Sequence, residues 1–177
     1  MGDSIFLSRP AGLTPAAFQY FLGEHRLQPP EDDVLKLREQ FTPMTPMVEL
    51  GQKLASSDLC TSCMDNTDGI GQSLSELAAA SSVSFVVDEH LLVVPDLVTR
   101  VAAKAGKEPL QFLFDGGADF SLVGTLRGQW SRDAAKAHFD NLIEIIGRVE
   151  IGVGVGLKRA EVMRDLPFRG WNYFVQK

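Results

Sequence analysis

Residues 60–77 read CTSCMDNTDGIGQSLSEL, and the interpretation of the chain depends on this stretch. Asp65 and Asp68 are three residues apart, with Thr67 between them, Gly69 directly after, and an apolar helical pattern beyond. A strand that ends in carboxylates at a helix N-terminus suits Mg²⁺ with a phosphate, because carboxylates ligate Mg²⁺ and free helix N–H groups bind phosphate oxygens. The simpler alternative is a capped helix, with Asp65 or Thr67 as the N-cap and Asp68 in the first turn. Spacing alone favours the cap.

The composition is that of a globular protein of one domain. The chain has 177 residues, 45% hydrophobic and 23% charged, with a net charge of −6. A nucleic-acid-binding surface needs clustered Lys and Arg, so we expect no nucleic-acid partner. No apolar run approaches the length of a membrane span, and no signal-peptide pattern is present. We therefore expect a cytoplasmic protein with no membrane partner.

The two cysteines, Cys60 and Cys63, form a C-x-x-C pair. A zinc site would need a second pair or suitably spaced histidines, and the three histidines form no visible ligand set. A redox motif would need the second cysteine to open a helix, where the dipole lowers the thiol pKa. The predicted helix starts only beyond Gly69. We therefore predict that both cysteines are small apolar residues on or near a strand.

The N-terminal segment predicts a strand, a turn and a helix. Ser4–Leu7 is an apolar run, residues 8–12 form a turn, and Thr14 with Pro15 resembles an N-cap followed by a first-turn proline. This order resembles a phosphate-binding βα turn but lacks its glycine fingerprint. A plain strand-to-helix connection is the favoured interpretation.

The rest of the chain mixes helices and strands. Helices are predicted over residues 31–41, 45–56, 95–105, 110–114 and 132–141, and strands over residues 83–88, 120–126 and 143–149. The alternating glycines and valines of residues 152–156 suggest a dinucleotide fingerprint, but the pattern does not lie between a strand and a helix. We predict a flexible hairpin there. Because strands and helices do not strictly alternate, the fold class is α+β with a mixed sheet.

Several segments, in this order, resemble the aminoimidazole-ribonucleotide (AIR) synthase-related superfamily, and most closely its thiamine-monophosphate kinases. They are residues 2–8 (GDSIFLS), 41–52, 64–70 (MDNTDGI), 116–120 (GGADF), 146–149 and 169–174 (RGWNYF). The resemblance is to the family's C-terminal domain, which is a three-layer α/β/α arrangement. It implies that residues 1–177 are a single domain of this kind, with no counterpart of the family's N-terminal ATP- and metal-binding domain.

The resemblance also implies a cofactor site. The family's acidic-Ser-Asp-Gly motif falls on Asp65, Thr67, Asp68 and Gly69, with threonine in place of serine. It implies that Asp65 and Asp68 ligate Mg²⁺, and that Thr67 and Gly69 bind ATP phosphate. Threonine keeps the hydroxyl that this role requires.

A second motif bears on the substrate. The family's Gly-Gly-Glu-Asp motif falls on Gly116, Gly117, Ala118 and Asp119, and its substrate-packing aromatic falls on Trp171. The resemblance implies that Gly116, Gly117, Asp119 and Trp171 bind substrate. Ala118 replaces the glutamate that contacts thiamine phosphate in the family. Because a lost polar contact can abolish discrimination, the specificity for thiamine phosphate is in doubt.

Two functions from different classes follow from the resemblance. The first is the C-terminal half of an ATP-dependent phosphotransferase, which binds Mg²⁺ and nucleotide but is inactive alone, so no catalytic residue is assigned. The alternative is a stand-alone, non-catalytic domain that binds a nucleotide or a small phosphate ligand, or that acts with a separate N-terminal-domain chain. A fragment of a longer kinase-like protein is a third interpretation. The absent domain would leave an apolar face, so we expect a homodimer.

Overall fold

The computed structural model describes residues 2–23, 31–41, 46–167 and 170. Within these ranges the strands are β1 Ser4–Leu7, β2 Cys60–Asn66, β3 Ser84–Asp88, β4 Ser121–Leu126, β5 Glu144–Glu150, β6 Gly154–Arg159 and β7 Val162–Asp165. The α-helices are α1 Leu13–Leu22, α2 Glu31–Glu39, α3 Val48–Ser56, α4 Ile70–Ser81, α5 Asp96–Ala105, α6 Pro109–Phe114 and α7 Arg132–His138. No helix in the described part of the chain combines the length and the apolar character needed to cross a membrane.

The seven strands form one mixed sheet in the order β2-β4-β1-β5-β3-β6-β7. All neighbouring strands are antiparallel except β3 and β6, which are parallel. The interior strand β1, between β4 and β5, is buried at all four positions. A strand covered on both faces needs an unbroken apolar run, which is why Ile5, Phe6 and Leu7 follow one another.

Two hydrophobic clusters lie on opposite faces of this sheet. Ile5 and Leu7 belong to the larger cluster, with buried side chains from α1, α2, α4, α5 and α6. Phe6, between them in sequence, belongs to the smaller cluster, with α3 and α7. Because side chains alternate across a strand, the helices form a layer on each side of the sheet. The α+β class, with three α/β/α layers and a mixed sheet, is confirmed.

Helix α1 starts differently from the sequence prediction. Its N-cap is Gly12, with a left-handed φ of 95°, so Thr14 and Pro15 are the second and third helical residues. The prediction of Thr14 as N-cap is wrong because Asp119, distant in sequence, accepts the backbone N–H groups of Gly12 and Thr14. The corresponding start predicted at Thr45 lies outside the described residues.

The prediction of a hairpin over residues 152–156 is also wrong. Gly154 begins β6, which pairs in parallel with β3, and the hairpin follows between β6 and β7. The chain leaves β5 on one side of β3 and returns on the other, and Gly152 and Gly154 supply the positive φ values of 140° and 83° for this crossing. Glycine adopts such angles without a steric penalty.

Candidate functional site

The turn between β2 and α4 presents the predicted metal-binding side chains at the surface. Asp65 is exposed, and Thr67 and Asp68 are half-buried. The Thr67 hydroxyl donates a hydrogen bond to the Asp65 carboxylate. The N-cap of α4 is Gly69, and no side chain caps the helix. The capped-helix interpretation is therefore wrong for Asp65 and Thr67, whose side chains bond to each other instead of to the helix N-terminus.

Gly69 lies where this turn meets the loop after α6. Its φ of 94° and ψ of 151° form a backbone conformation that is essentially confined to glycine. An added Cβ would lie 2.5 Å from the Phe114 carbonyl oxygen and 2.6 Å from that of Gly116. The two backbones therefore touch, and only a residue without a side chain fits between them.

A second contact joins the same two segments. The Ala118 N–H donates to the Thr67 carbonyl oxygen at 2.7 Å, and a Cβ on Gly117 would lie 2.2 Å from that same oxygen. A Cβ on Gly116 would meet Pro15 Cγ at 2.2 Å, so the start of α1 completes the contact. The predicted Mg²⁺ motif and the Gly-Gly motif, almost 50 residues apart in sequence, thus form one surface of closely packed backbone.

Asp119 holds the third segment of this surface. Its buried carboxylate accepts the Gly12 N–H at 2.6 Å and the Thr14 N–H at 3.1 Å. Burial raises the pKa of this carboxyl, while the two hydrogen bonds and the positive charge of Arg9 act in the opposite direction. Because both oxygens bind the β1–α1 turn, Asp119 positions the loop beneath the surface. Sequence reasoning missed this role.

The C-terminal segment approaches the start of α4 at Gly170. The Gly170 N–H donates to Asp115 Oδ1 at 3.1 Å, and an added Cβ would lie 2.7 Å from the Asp68 carbonyl oxygen and 2.5 Å from Gln72 Cβ. The next residue, Trp171, is the predicted substrate-packing aromatic and lies outside the described residues. Its predicted role therefore stays a prediction.

Asn66, the last residue of β2, is a functional candidate that sequence reasoning did not select. It is fully buried, and its Nδ2 donates to Ser121 Oγ at 3.2 Å. Its Oδ1 has no hydrogen-bond partner in the described part of the chain. A buried amide oxygen without a partner is costly, and such groups concentrate at functional sites. Its place directly between Asp65 and Thr67 was the available signal.

The donor set fits one part of a Mg²⁺–phosphate site. Asp65 and Asp68 supply two carboxylates, but no group of three or more His, Cys, Asp or Glu residues within the described ranges is arranged to hold a metal ion. Mg²⁺ is commonly bound by one or two carboxylates, several waters and substrate phosphates. The uncapped N-terminus of α4 and the glycine backbone suit the phosphate. The remaining ligands would have to come from elsewhere.

A cavity of about 570 Å³ lies between α4 and strands β6 and β7. Gln72, Ser75 and Met163 line it, and neither Asp65 nor Asp68 does. The predicted metal-binding carboxylates are therefore not part of the lining of this cavity.

Comparisons with known proteins agree with this arrangement. Residues 1–158 match the family model described as AIR synthase related protein, C-terminal domain. A thiamine-monophosphate kinase of Pyrococcus horikoshii is 34% identical over 117 residues, covering 66% of this chain and 35% of that protein. One from Halobacterium salinarum is 30% identical over 173 residues, covering 97% of this chain and 53% of that protein. The chain thus spans a third to about half of the length of these relatives.

A solved structure shows the same fold. AaThiL complexed with AMPPCP and TMP aligns with a TM-score of 0.76 and 24% sequence identity, over 98% of this chain and 52% of that one. At this identity the similarity establishes the architecture.

Proposed function

The chain belongs to the family of AIR synthase related C-terminal domains, and from this we propose that it is the C-terminal half of a thiamine-monophosphate-kinase-like, ATP-dependent phosphotransferase. The observation that carries the proposal is the β2–α4 turn. There Asp65, Thr67 and Asp68 precede a helix start that no side chain caps. The similarity to thiamine-monophosphate kinases, and to a structure that holds AMPPCP and TMP, supports ATP and a small phosphate compound as ligands, and the proposal adds Mg²⁺ because of the two carboxylates of the turn.

Each residue of the turn has a role in this proposal. Asp65 and Asp68 would hold Mg²⁺, which would neutralise phosphate charge there. The Thr67 hydroxyl, which donates to Asp65 in this structure, would be the donor to a phosphate oxygen. Gly69 brings backbone close to the phosphate because it has no side chain. Positioning and charge neutralisation are the main requirements of phosphoryl transfer, so the turn needs no covalent chemistry.

The group of residues proposed to bind the substrate is less complete than the group proposed to bind Mg²⁺ and ATP. Gly116 and Gly117 offer backbone, Asp119 supports the loop from below, and Trp171 would stack on a ring. Ala118, at a left-handed φ of 64°, has no polar side-chain atom. We therefore expect the chain to discriminate poorly in favour of thiamine phosphate. A related phosphate compound is the proposed substrate class.

The chain needs further ligands from another domain, either in the same polypeptide or in a separate one. Two carboxylates make part of a metal site, and on this basis we propose that the 177-residue chain alone does not turn over ATP. An exposed aromatic patch supports a covering partner or a homodimer. Phe18 and Phe21 each contact Phe41 edge to face, with ring centroids 5.1 and 5.8 Å apart, and all three side chains are exposed.

Calorimetry tests the binding half of the proposal. Titration of the chain with AMPPCP should show binding that requires Mg²⁺. Asp65→Asn and Asp68→Asn should each weaken it at least about tenfold, the lower end of the loss caused by removing even an outer-shell partner of a metal. Asp133→Asn, which changes an exposed acid in the first turn of α7, is the matched control and should bind normally. Equal affinity in all four proteins would reject the site.

An activity assay tests the half-site. The isolated chain should show no kinase or ATPase turnover, and an added N-terminal half from a thiamine-monophosphate kinase should restore some. Ordinary turnover by the chain alone would contradict the proposal.

The alternative function is a non-catalytic ligand-binding or accessory domain, and Ala118 is the residue that favours it. It predicts Mg²⁺-dependent nucleotide binding with no turnover, even after the N-terminal half is added. Absence of nucleotide binding, with or without that half, would exclude the phosphotransferase and the nucleotide-binding form of the alternative.

A further inference from the structure

Asn66 and Ser121 form the last residue pair between β2 and β4. Asn66 is the final residue of β2, Ser121 is the first residue of β4, and the two are partners in the antiparallel ladder. Beyond this pair both segments leave the sheet. Strand β2 continues into the turn of residues 67–69, and β4 is preceded by the loop of residues 116–120. The pair therefore lies at the base of two segments that form the candidate site.

The side chains of this pair are joined in the protein interior. Both are fully buried, and Asn66 Nδ2 donates a hydrogen bond to Ser121 Oγ at 3.2 Å. Asn66 Oδ1, in contrast, has no hydrogen-bond partner within the described residues. A buried polar atom without a partner destabilises a protein, and an apolar side chain of similar shape would avoid this loss. The Asn66 amide therefore supplies a directed contact between the strands, although its second polar atom destabilises the interior.

The direction of the Asn66 side chain determines the direction of its neighbour. Successive side chains of a strand point to opposite faces, so the buried Asn66 directs the preceding Asp65 outward. Asp65 is exposed, and its carboxylate accepts the Thr67 hydroxyl. From helix α4, Ser73 Oγ donates to the Asp65 carbonyl oxygen at 3.2 Å. The backbone that carries the Asp65 carboxylate is thus held both by α4 and by the buried amide that follows it.

The loop that precedes Ser121 does not continue the regular ladder. Ala118 and Phe120 have left-handed φ values of 64° and 50°, which lie outside strand geometry. The Ala118 N–H nevertheless donates to the Thr67 carbonyl oxygen at 2.7 Å and so joins the loop to the β2–α4 turn. The Asn66–Ser121 pair lies between the ladder and this hydrogen bond. It therefore sets the separation of the two backbones at the point where they leave the sheet.

We propose that Asn66 is a positioning residue. Its hydrogen bond to Ser121 holds the β2–α4 turn against the loop of residues 116–120 and so sets the directions of Asp65 and Thr67. Asn66 acts through these neighbours and touches no ligand itself, because its side chain is fully buried. The consequence for Mg²⁺ and nucleotide binding rests on the proposed function, whereas the position of the turn does not. The two are therefore measured separately.

Amide hydrogen exchange of the 177-residue chain, followed by NMR, tests the position of the turn. The Ala118 N–H, bonded to Thr67 at 2.7 Å, reports on the end of β2 beside the pair. The Arg127 N–H, bonded to Leu59 also at 2.7 Å, reports on the opposite end of β2. Asn66→Ala should raise the exchange rate of Ala118 at least about tenfold relative to that of Arg127, because a buried hydrogen bond is lost beside Ala118 alone. An equal rise at both amides, or no rise, would overturn the proposal.

Two further variants separate this role from a general loss of stability. Ser121→Ala removes the acceptor of the hydrogen bond and should speed the exchange of Ala118 as Asn66→Ala does. Thr125→Val is the matched control, because Thr125 is a buried polar residue of β4 whose hydroxyl lies 2.7 Å from two hydroxyls near the start of β2. It should leave Ala118 unchanged, and a larger effect than that of Ser121→Ala would contradict the proposal. Circular dichroism unchanged from the parent chain confirms that each variant is folded.

Calorimetry with Mg²⁺ and AMPPCP tests the consequence for ligand binding. Asn66→Ala and Ser121→Ala should each weaken binding about tenfold, the lower end of the loss caused by removing an outer-shell partner of a metal site. Thr125→Val should bind as the parent chain does. Unchanged affinity in the first two variants would overturn the link between the amide and the site. A parent chain that does not bind nucleotide would count against the proposed function, and the exchange rates would still decide whether Asn66 positions the turn.

Discussion

Replacing Gly69 by alanine tests the contact between the β2–α4 turn and the loop after α6. Alanine at a φ of 94° and a ψ of 151° carries a backbone strain of about 1–3 kcal/mol. Its Cβ would also lie within 2.6 Å of two carbonyl oxygens, Phe114 O and Gly116 O. Overpacking of this kind costs about another 1–3 kcal/mol. We expect Gly69→Ala to lower the free energy of unfolding by about 4 kcal/mol.

Gly106→Ala is the matched control for this prediction. Gly106, at the end of α5, also has a positive φ, 64°, but an added Cβ would meet nothing within 4 Å. Its substitution should cost only the left-handed strain, about 1 kcal/mol. The difference between Gly69→Ala and Gly106→Ala therefore isolates the crowding at the site.

Urea unfolding followed by circular dichroism measures both losses. For a domain of this size, each kcal/mol of lost stability lowers the melting temperature by about 2–4 °C. Thermal unfolding should therefore show a melting temperature lower by roughly 12 °C for Gly69→Ala and by about 3 °C for Gly106→Ala. Equal losses in the two proteins would show that the turn and the loop are not in contact, and would remove the structural basis of the proposed phosphate site.

Three further predictions concern Asp119, Asp33 and Leu22. Asp119→Ala should lower the free energy of unfolding by about 2–4 kcal/mol, because it leaves two buried backbone N–H groups without a partner. Because folding raises the pKa of Asp119, the contribution of its carboxyl group to the free energy of unfolding is full below about pH 4 and is lost as the pH rises through the pKa of the folded state. Urea denaturation at several pH values should therefore show a smaller loss of stability over that range in Asp119→Ala than in the parent chain. Asp33→Asn should change the pH dependence in the opposite direction. Arg100 lowers the pKa of Asp33, so the parent chain loses the stability contributed by the Asp33 carboxylate as the pH falls below about 4. Unfolding measured during acid titration should show this loss in the parent chain and not in the variant. Leu22→Ser, on the exposed apolar face of α1, should reduce self-association in sedimentation velocity, whereas Val48→Ser on α3 should not.

Elements with local signals were predicted well. Gly106 ends α5 in a left-handed conformation, as its position after the apolar pattern indicated. Helix α7, by contrast, ends at His138 instead of residue 141, because Asp140 and Asn141 adopt positive φ values. The end of such a helix depends on which residue adopts the left-handed backbone conformation, and residue type makes this conformation more or less frequent without determining it.

Predictions failed where a distant residue supplies the decisive contact. Thr14 carries the signature of an N-cap, but Asp119 binds the N–H groups that a cap would bind. Cys60 and Cys63 do lie on a strand, as predicted, but the bulge between them exists only through pairing with β4. A single sequence shows the residue types of a strand but does not show its register with a strand that is remote in sequence.

The candidate site was predictable in the same uneven way. Asp65, Thr67, Asp68 and Gly69 are neighbours in sequence, so their shared turn was visible at once. Their contact with Gly116 and the residues that follow it depends on tertiary packing, and only the family resemblance linked the two motifs before the structure did.

The position of β1 has a consequence for synthesis of the protein. This strand is synthesised before both of its partners, β4 and β5, which lie between residues 121 and 150. Its apolar side chains must wait until those residues have been made before they are covered. Pairings this remote in sequence are slow to form. The nascent chain should therefore depend on chaperones until β5 has emerged, and translation stalled before that point should yield a protein prone to aggregate.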